Sequence, residues 1–295
     1  MRPFVTRIIA IATAFAATPP PHAVADEALS LYQAMEIVTG TDMRERPRGF
    51  ALCLEDVLVK VSGDPRLRSD PRIAEPRRHA ADYVVSFNYV DPIATTKPKD
   101  DQGTYDRSEN LTVTFDPVKI DALLTALGDP PWHGPRPVLE PVLSVHGRKP
   151  PPWLLSADDT NAAEQRAAFE RVAAEAGLPL KFPPSSELSS PGNDAPCGSE
   201  QTIIVVGTLD WSEAALGWVG TWRTCWRGAQ HAWSVRGVGY DQAFANIVEG
   251  VVLLASGRGG PEIAARVNPL TAAGLRARPH WRVIPPTEAN RKDPP

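Results

Sequence analysis

The sequence lacks every short motif that usually reveals an enzyme or a metal site. No G-x-S-x-G nucleophile turn and no phosphate-binding P-loop occurs in the 295 residues. The segment "RGVGYDQ" begins like a dinucleotide fingerprint, but Gln242 stands in place of the third glycine, so ordinary turn glycines explain it better. Beyond residue 25 the histidines are His79, His133, His146, His231 and His280, and none has a histidine two or four residues away. We therefore expect no cofactor and no metal.

The sequence also lacks a basic excess. It contains 31 lysines and arginines against 35 aspartates and glutamates, which gives a formal net charge of −4. Proteins that bind nucleic acids usually carry the opposite balance, because they must neutralise phosphates. A nucleic-acid partner is therefore not expected.

No apolar run is long enough to cross a bilayer, and the clearest one lies at the N-terminus. Two arginines precede the apolar run Ile8–Ala17, and Ala23-Val24-Ala25 has the small residues of a cleavage site. This order is typical of a secretory signal peptide over residues 1–25, with a retained N-terminal anchor as the alternative. We expect cleavage after Ala25 and a periplasmic mature protein without a membrane span.

Hydrophobic periodicity divides the mature chain into two units, 26–130 and 136–257, joined by the proline-rich segment "GDPPWHGPRP". The first unit reads β-α-β-β-α, with strands over 28–40, 82–90 and 110–116 and helices over 48–64 and 116–128. In the second helix Asp116 is the predicted N-cap and Pro117 fits the first helical position.

The second unit, 136–257, reads β-α-β-β-β-α. Its first helix is expected over 161–176, opened by Asn161 and Glu164 as a capping box. The run "TIIVVGTL" predicts a central strand covered on both faces. The fold class is therefore α+β, with two small mixed α/β units that each pack helices on a sheet. Residues 258–295 are rich in Pro and Arg and are predicted to form a poorly ordered tail.

A hairpin rich in tryptophan, "GWVGTWRTCWRGAQHAW", dominates the second unit. Trp218, Trp222 and Trp226 occupy even positions, so a strand places all three on one face, and Trp233 joins them from the next strand. Four exposed indoles would form a larger apolar patch than monomers usually carry. We therefore predict a core built from Trp218, Trp222 and Trp233 against Phe244 and Val251 of the following helix.

The turn of this hairpin decides which residues stay near solvent. A two-residue turn at Gly228-Ala229 places Trp226 opposite His231 and Thr224 opposite Trp233. The alternative to a complete core is a partly exposed Trp226 that, with His231, stacks on a sugar or a peptide.

Three cysteines allow one disulfide in an oxidising compartment. Cys53 lies on the apolar face of a helix and is expected to be buried and reduced. Cys197 lies in a loop before the central strand, and Cys225 lies on the strand face opposite the tryptophans. We therefore predict a disulfide between Cys197 and Cys225.

The loop over 91–109 is the other candidate contact for a partner or ligand. It joins two neighbouring strands but is far longer than a usual hairpin connection, and its spacing does not fit an EF-hand. Its polar residues are Asp100, Asp101, Tyr105, Asp106 and Arg107. The alternative is that this loop is solvated and has no partner. A solvated loop is also the alternative for Asp158-Asp159, a pair of adjacent acids later in the chain.

Several runs, among them "CLEDVLVKVSGDPRL", "NLTVTFDPVKIDALL", "GDPPW" and "RGVGYDQAF", resemble the domain of unknown function family numbered 2066. The likeness extends over about residues 28–256 and is spread over many modest motifs. It implies an exported proteobacterial protein of the cell envelope. It assigns no activity and no catalytic residues.

Three classes of function remain open. The lack of catalytic motifs favours a non-catalytic periplasmic interaction or assembly module of the cell envelope, whose partner is an unknown envelope protein or glycan. The alternatives are a glycan- or peptide-binding protein that uses exposed tryptophan, and an enzyme whose active site is assembled from residues distant in sequence. A pocket that joined a histidine to two carboxylates would favour the enzyme.

Overall fold

The computed structural model describes residues 31–91, 108–188 and 194–267. Helices pack on sheets throughout these ranges, so the predicted α+β fold is confirmed. The predicted signal peptide lies outside the described residues, as does the chain from 268 onward. No helix in the described ranges is both long enough and apolar enough to cross a membrane.

The strands of the described chain are β1 (Gln33–Thr39), β2 (Val84–Val90), β3 (Ser108–Phe115), β4 (Val138–His146), β5 (Trp153–Leu154), β6 (Thr202–Ser212), β7 (Gly217–Trp226) and β8 (Ala229–Val238). The α-helices are α1 (Arg46–Ser62), α2 (Ala74–Arg78), α3 (Pro117–Ala126), α4 (Ala163–Glu175), α5 (Tyr240–Ser256) and α6 (Glu262–Val267). Short 3₁₀ turns lie at Pro65–Ser69, Pro71–Ile73, Ala80–Tyr83, Thr160–Ala162 and Ser185–Glu187.

The first sheet is antiparallel, with the strand order β1-β3-β2. Its inner face buries Leu111, Val113 and Phe115 against the apolar face of α1. The residues predicted from sequence to end α1 and to cap α3 have these roles in the structure. Gly63 ends α1 in the left-handed conformation, with φ at 71°. The Asp116 carboxylate accepts a hydrogen bond from the Val118 N–H at 2.9 Å and so caps α3.

The second sheet has five strands in the order β5-β4-β6-β7-β8. The strands β4 and β6 are parallel, and the other neighbours are antiparallel. Helices α4 and α5 cover one face, where Phe169 and Phe244 stack with ring centroids 4.6 Å apart. Strand β6 is central in the sheet, as predicted. The prediction that both of its faces are covered is wrong. Both helices pack on the same side, and Thr208 on the other side is only half-buried.

Two local predictions in the second unit need correction. The expected capping box of Asn161 and Glu164 does not form, because the 3₁₀ turn Thr160–Ala162 precedes α4 and Asp159 caps that turn instead, accepting from the Asn161 N–H at 2.8 Å. Residues 258–267, assigned from sequence to a poorly ordered tail, are ordered. They include α6, whose Ala264 is fully buried.

The two units meet at the C-terminus of α1, where a helix leaves carbonyl groups without partners. The second unit and the linker satisfy several of them. The Arg136 guanidinium donates to the Lys60 carbonyl at 2.7 Å, the Trp132 N–H to the Val61 carbonyl at 2.8 Å, and the Arg258 guanidinium to the Ser62 carbonyl at 3.3 Å. Positive side chains at this end also oppose the negative end of the helix dipole. Hydrogen bonds to the last carbonyl groups of α1 therefore join the two units.

Lys60 is buried in the same region, with only 8% of its surface exposed. Its ammonium group donates a hydrogen bond to the Gln33 carbonyl at 2.7 Å. Burial lowers the pKa of Lys60 from 10.5 to about 8, since desolvation disfavours the charged form more than the nearby Asp56 and Glu175 favour it.

The depressed pKa of Lys60 predicts a pH dependence of stability. The unfolded chain holds the Lys60 proton up to about pH 10.5, whereas the folded chain releases it near pH 8, so this residue makes the fold more stable as pH rises between these values. From pH 7 to pH 10, the unfolding free energy of the wild type should rise by about 2–3 kcal/mol relative to that of Lys60→Met. Denaturant melts at both pH values measure this difference. A Lys60→Met difference that stays constant from pH 7 to pH 10 would contradict the prediction.

Candidate functional site

The hairpin turn lies one residue earlier than the sequence suggested. Arg227 and Gly228 both have positive φ, at 49° and 79°, as the two central residues of a type I′ hairpin turn require. The expected turn at Gly228-Ala229 is therefore wrong, and so are the pairs it implied. In the structure Trp226 lies opposite Ala229, Thr224 opposite His231, and Trp222 opposite Trp233. Each β7 residue thus pairs with a β8 residue two positions away from the predicted one. Because side chains alternate between the two faces of a strand, each still points to its predicted face.

The tryptophan face is the interior of the second unit. Trp218, Trp222 and Trp233 are buried in one cluster with Phe244 and Val251, as the core prediction required. Trp226 belongs to the same cluster and is only 8% exposed. The expectation of a partly exposed Trp226 that stacks on a ligand with His231 therefore fails, because the ring is buried in this cluster and the half-buried His231 lies opposite Thr224.

Glycines and one buried amide explain how two large indoles fit this core. A Cβ atom at Gly220 would lie 2.0 Å from the Trp222 ring, and one at Gly250 would lie 2.8 Å from the Trp233 ring. The Asn246 side chain is fully buried, and its Oδ1 accepts from Trp222 Nε1 at 3.0 Å. The Asn246 carbonyl accepts from Trp233 Nε1 at 3.2 Å. Both buried indole N–H groups therefore have partners.

The predicted disulfide between Cys197 and Cys225 is present, with the two Cα atoms 4.5 Å apart. It fastens the segment before β6 to the sheet face opposite the tryptophans. In the same region Gln230 Nε2 donates to the Ala195 carbonyl at 3.0 Å. Cys53 is free and buried, and burial raises the pKa of its thiol well above the usual value.

The predicted contact loop cannot be placed in the same way. Asp100, Asp101, Tyr105, Asp106 and Arg107 lie outside the described residues. The described chain leaves β2 at Asp91 and resumes in β3 at Ser108. These two strands are paired, so both ends of the loop meet at one end of the first sheet.

The other face of the second sheet carries a chain of hydrogen-bonded side chains that sequence reasoning missed. We call it the open face; it presents Ser144, His146, Thr208, Asp210, Thr221 and Ser234. Ser144 Oγ lies 2.9 Å from His146 Nε2, and His146 Nδ1 lies 2.7 Å from Asp210 Oδ1. Thr208 Oγ1 donates to the second oxygen of Asp210 at 2.9 Å. The histidine thus links a hydroxyl group to a carboxylate through its two ring nitrogens.

Strand geometry produces this arrangement. Ser144 and His146 are two residues apart on β4, so both point to the same face. The parallel register pairs Ser144 with Thr208 and His146 with Asp210 on β6. The sequence signal was a Ser-x-His on one predicted strand and an aspartate near the end of another. It could not be recognised without knowing that β4 and β6 are in-register neighbours.

A cavity of about 540 Å³ adjoins this chain of side chains. Ser144 lines it together with Pro152, Trp153, Leu154, Ser156, Asp158, Asp159 and Ser185. Asp158 accepts hydrogen bonds from Ser185, from its N–H at 2.9 Å and its hydroxyl at 2.7 Å, and these bonds lower the pKa of Asp158 to about 2. The cavity therefore has an apolar wall and a negatively charged wall.

Comparison with known proteins identifies part of the chain. A domain of unknown function (DUF8605) is found over residues 25–133. The match covers the first sheet and the helices that pack on it. It does not confirm the resemblance to the family numbered 2066. No curated protein and no solved structure matches the chain. In the described ranges no three His, Cys, Asp or Glu side chains are grouped so that they could hold a metal ion.

Proposed function

We propose that this chain is an exported interaction module of the cell envelope that docks an extended segment of a protein partner on the edge of its first sheet. The observation that carries the proposal is the exposure of apolar residues along the outer strand β2. Val85, Phe87 and Val90 are 66%, 41% and 49% exposed. Folded proteins usually cover such an edge or place charge on it, because it invites another strand.

The chemistry of this edge favours a polypeptide partner. Among the residues that the structure describes, strand β2 pairs with β3 alone, so within this part of the chain one row of its backbone N–H and C=O groups has no partner strand. An added strand pairs with such a row, and its alternate side chains contact the apolar residues. The Phe87 ring is fixed by Phe50, with ring centroids 5.2 Å apart, and by the Arg46 guanidinium 4.7 Å above its centroid. The apolar edge therefore presents a Phe87 ring that its neighbours hold in place.

Two further observations support the proposed export and the proposed docking edge. The N-terminal 25 residues have the order of a secretory signal, and the resemblance to the family numbered 2066 supports an exported proteobacterial protein. The long loop that carries Asp100 and Arg107 begins where β2 ends, so its residues are candidate contacts for the same partner. A glycan stacked on Trp226 is not proposed, because that ring is buried.

A site-specific photocrosslink in the native cells tests the proposal. A photoreactive phenylalanine at position 85 should give one discrete adduct in the periplasmic fraction, on a protein that begins at Asp26. The same group at position 118 should give none, although Val118 is an exposed valine too, at 77%. Val90→Asp should abolish the adduct from position 85 and leave stability within about 0.5 kcal/mol of wild type.

Three outcomes would count against this function. One is the absence of an adduct from position 85, and another is an equal adduct from positions 85 and 118. The third is an adduct that survives Val90→Asp. A protein that stays in the cytoplasm with residues 1–25 attached would contradict the proposed export but not the proposed docking.

A further inference from the structure

We propose that Ser144, His146 and Asp210 form a nucleophilic site that hydrolyses small acyl esters. The proposal goes beyond the docking function, because the site lies in the second unit and the docking edge lies in the first. It rests on the connectivity of the three side chains and on the cavity that Ser144 lines.

The connectivity is that of an activated serine. A serine hydroxyl becomes a useful nucleophile when a neighbouring imidazole can accept its proton and a carboxylate holds that imidazole in the correct tautomer. Here Nε2 of His146 faces Ser144 at 2.9 Å, and Nδ1 faces Asp210 at 2.7 Å. Thr208 occupies the other oxygen of Asp210, which fixes the carboxylate. The three groups thus have the connectivity of a serine, its general base and the carboxylate that orients the base.

A contribution to stability does not account for the arrangement. The His146 and Asp210 side chains are 45% and 43% exposed. Ion pairs at such exposure usually contribute less than about 1 kcal/mol, since water competes for both partners. The side chains are nevertheless linked by three short contacts of 2.7–2.9 Å, and the contact between His146 and Asp210 joins the two strands. Positioning of Ser144 is the property that these contacts provide.

The cavity defines the class of substrate. Its volume of about 540 Å³ lies within the usual range of small-molecule sites, about 300–1,000 Å³. Trp153, Leu154 and Pro152 offer apolar contact for a short acyl chain. Asp158 and Asp159 disfavour an anionic substrate by like-charge repulsion. We therefore assign the site a neutral or cationic ester with a short acyl group.

The reaction uses only the ester and water. Ser144 Oγ bonds to the ester carbonyl carbon as its proton passes to His146 Nε2. The bond from that carbon to the alkoxy oxygen then breaks, and the proton on Nε2 goes to the leaving alcohol. Water next attacks the acyl-serine and gives a proton to Nε2. Release of the acid returns that proton to Ser144, so one ester and one water yield one acid and one alcohol.

Two readouts on the purified mature protein test the site. A fluorophosphonate probe should form a bond from phosphorus to Ser144 Oγ with loss of fluoride, and peptide mapping should locate the adduct at Ser144. The protein should also hydrolyse p-nitrophenyl butyrate. Ser144→Ala should abolish both signals, and Asp210→Asn should slow both by about 100-fold or more. Ser234→Ala is the matched control, since Ser234 is an exposed serine of the same open face on β8, and it should change neither.

The proposal is overturned if the probe leaves Ser144 unlabelled, or if Ser144→Ala and wild type hydrolyse the ester at the same rate. It is also overturned if Asp210→Asn labels as fast as wild type, since the carboxylate would then have no role in activation. Val90→Asp, on the edge of the first sheet, should leave labelling unchanged. A failure here is therefore separable from a failure of the docking function.

Discussion

Trp222→Ala should lower the unfolding free energy by about 3–5 kcal/mol, the usual cost of removing a large aromatic from a core. Trp222 is 1% exposed and lies between the backbone at Gly220 and helix α5. Its loss leaves a cavity and removes the donor to Asn246 Oδ1. Because a domain is usually stable by only about 5–15 kcal/mol, the variant should also accumulate poorly in cells.

Denaturant melts measure this loss, and Trp211 supplies a matched control. Trp211 is only half-buried, at the end of β6, and its indole N–H donates to Glu213 at 2.7 Å. Trp211→Ala should therefore cost clearly less than Trp222→Ala. Trp233→Ala should resemble Trp222→Ala, since its ring also packs in the core and its indole N–H is bonded to Asn246. Equal melts for Trp222→Ala and wild type would show that the indole does not fill a core.

Removal of the disulfide should cost about 3–4 kcal/mol, the loss of loop-closure entropy expected for a closed loop of this size. Cys197 and Cys225 are 28 residues apart in sequence. The double variant Cys197→Ala, Cys225→Ala should show this loss in melts under oxidising conditions. Alanine suits the test because Cys225 is buried and a serine there would add an unrelated polar cost.

Reduction provides the control for the disulfide. A reducing agent should lower the stability of the wild type towards that of the double variant and leave the double variant unchanged. Cys53→Ala should remain sensitive to the reducing agent, because Cys53 is not part of the bond. A wild type that melts identically with and without the reducing agent would contradict a stabilising bond.

Local patterns predicted most of the helices and strands. Helix α3 follows from the apolar spacing of Ile120 and Leu124 with a capping Asp116 and a first-turn Pro117, all within one short segment. The alternation of tryptophans in β7 placed those side chains correctly on the buried face. Each of these features depends on residues near one another in sequence, where periodicity and capping chemistry act.

Features that depend on tertiary neighbours could not be predicted. The hairpin register required knowing that Arg227, a residue that rarely takes positive φ, would share the turn with Gly228. The order of residues 258–267 depends on contacts of Arg258 with α1, about 200 residues earlier. The Ser144–His146–Asp210 chain depends on two strands, β4 and β6, that are separated by α4 and more than fifty residues.

The central claim is that the tryptophan face is the interior of the second unit. Exchange of the indole N–H groups with D₂O, followed by NMR and assigned with single Trp→Phe variants, tests it most directly. The indole protons of Trp222 and Trp233 should exchange far more slowly than that of Trp211, because both are buried and bonded to Asn246. If all three exchange at the same rate, the tryptophan face is in contact with water and the claim is wrong.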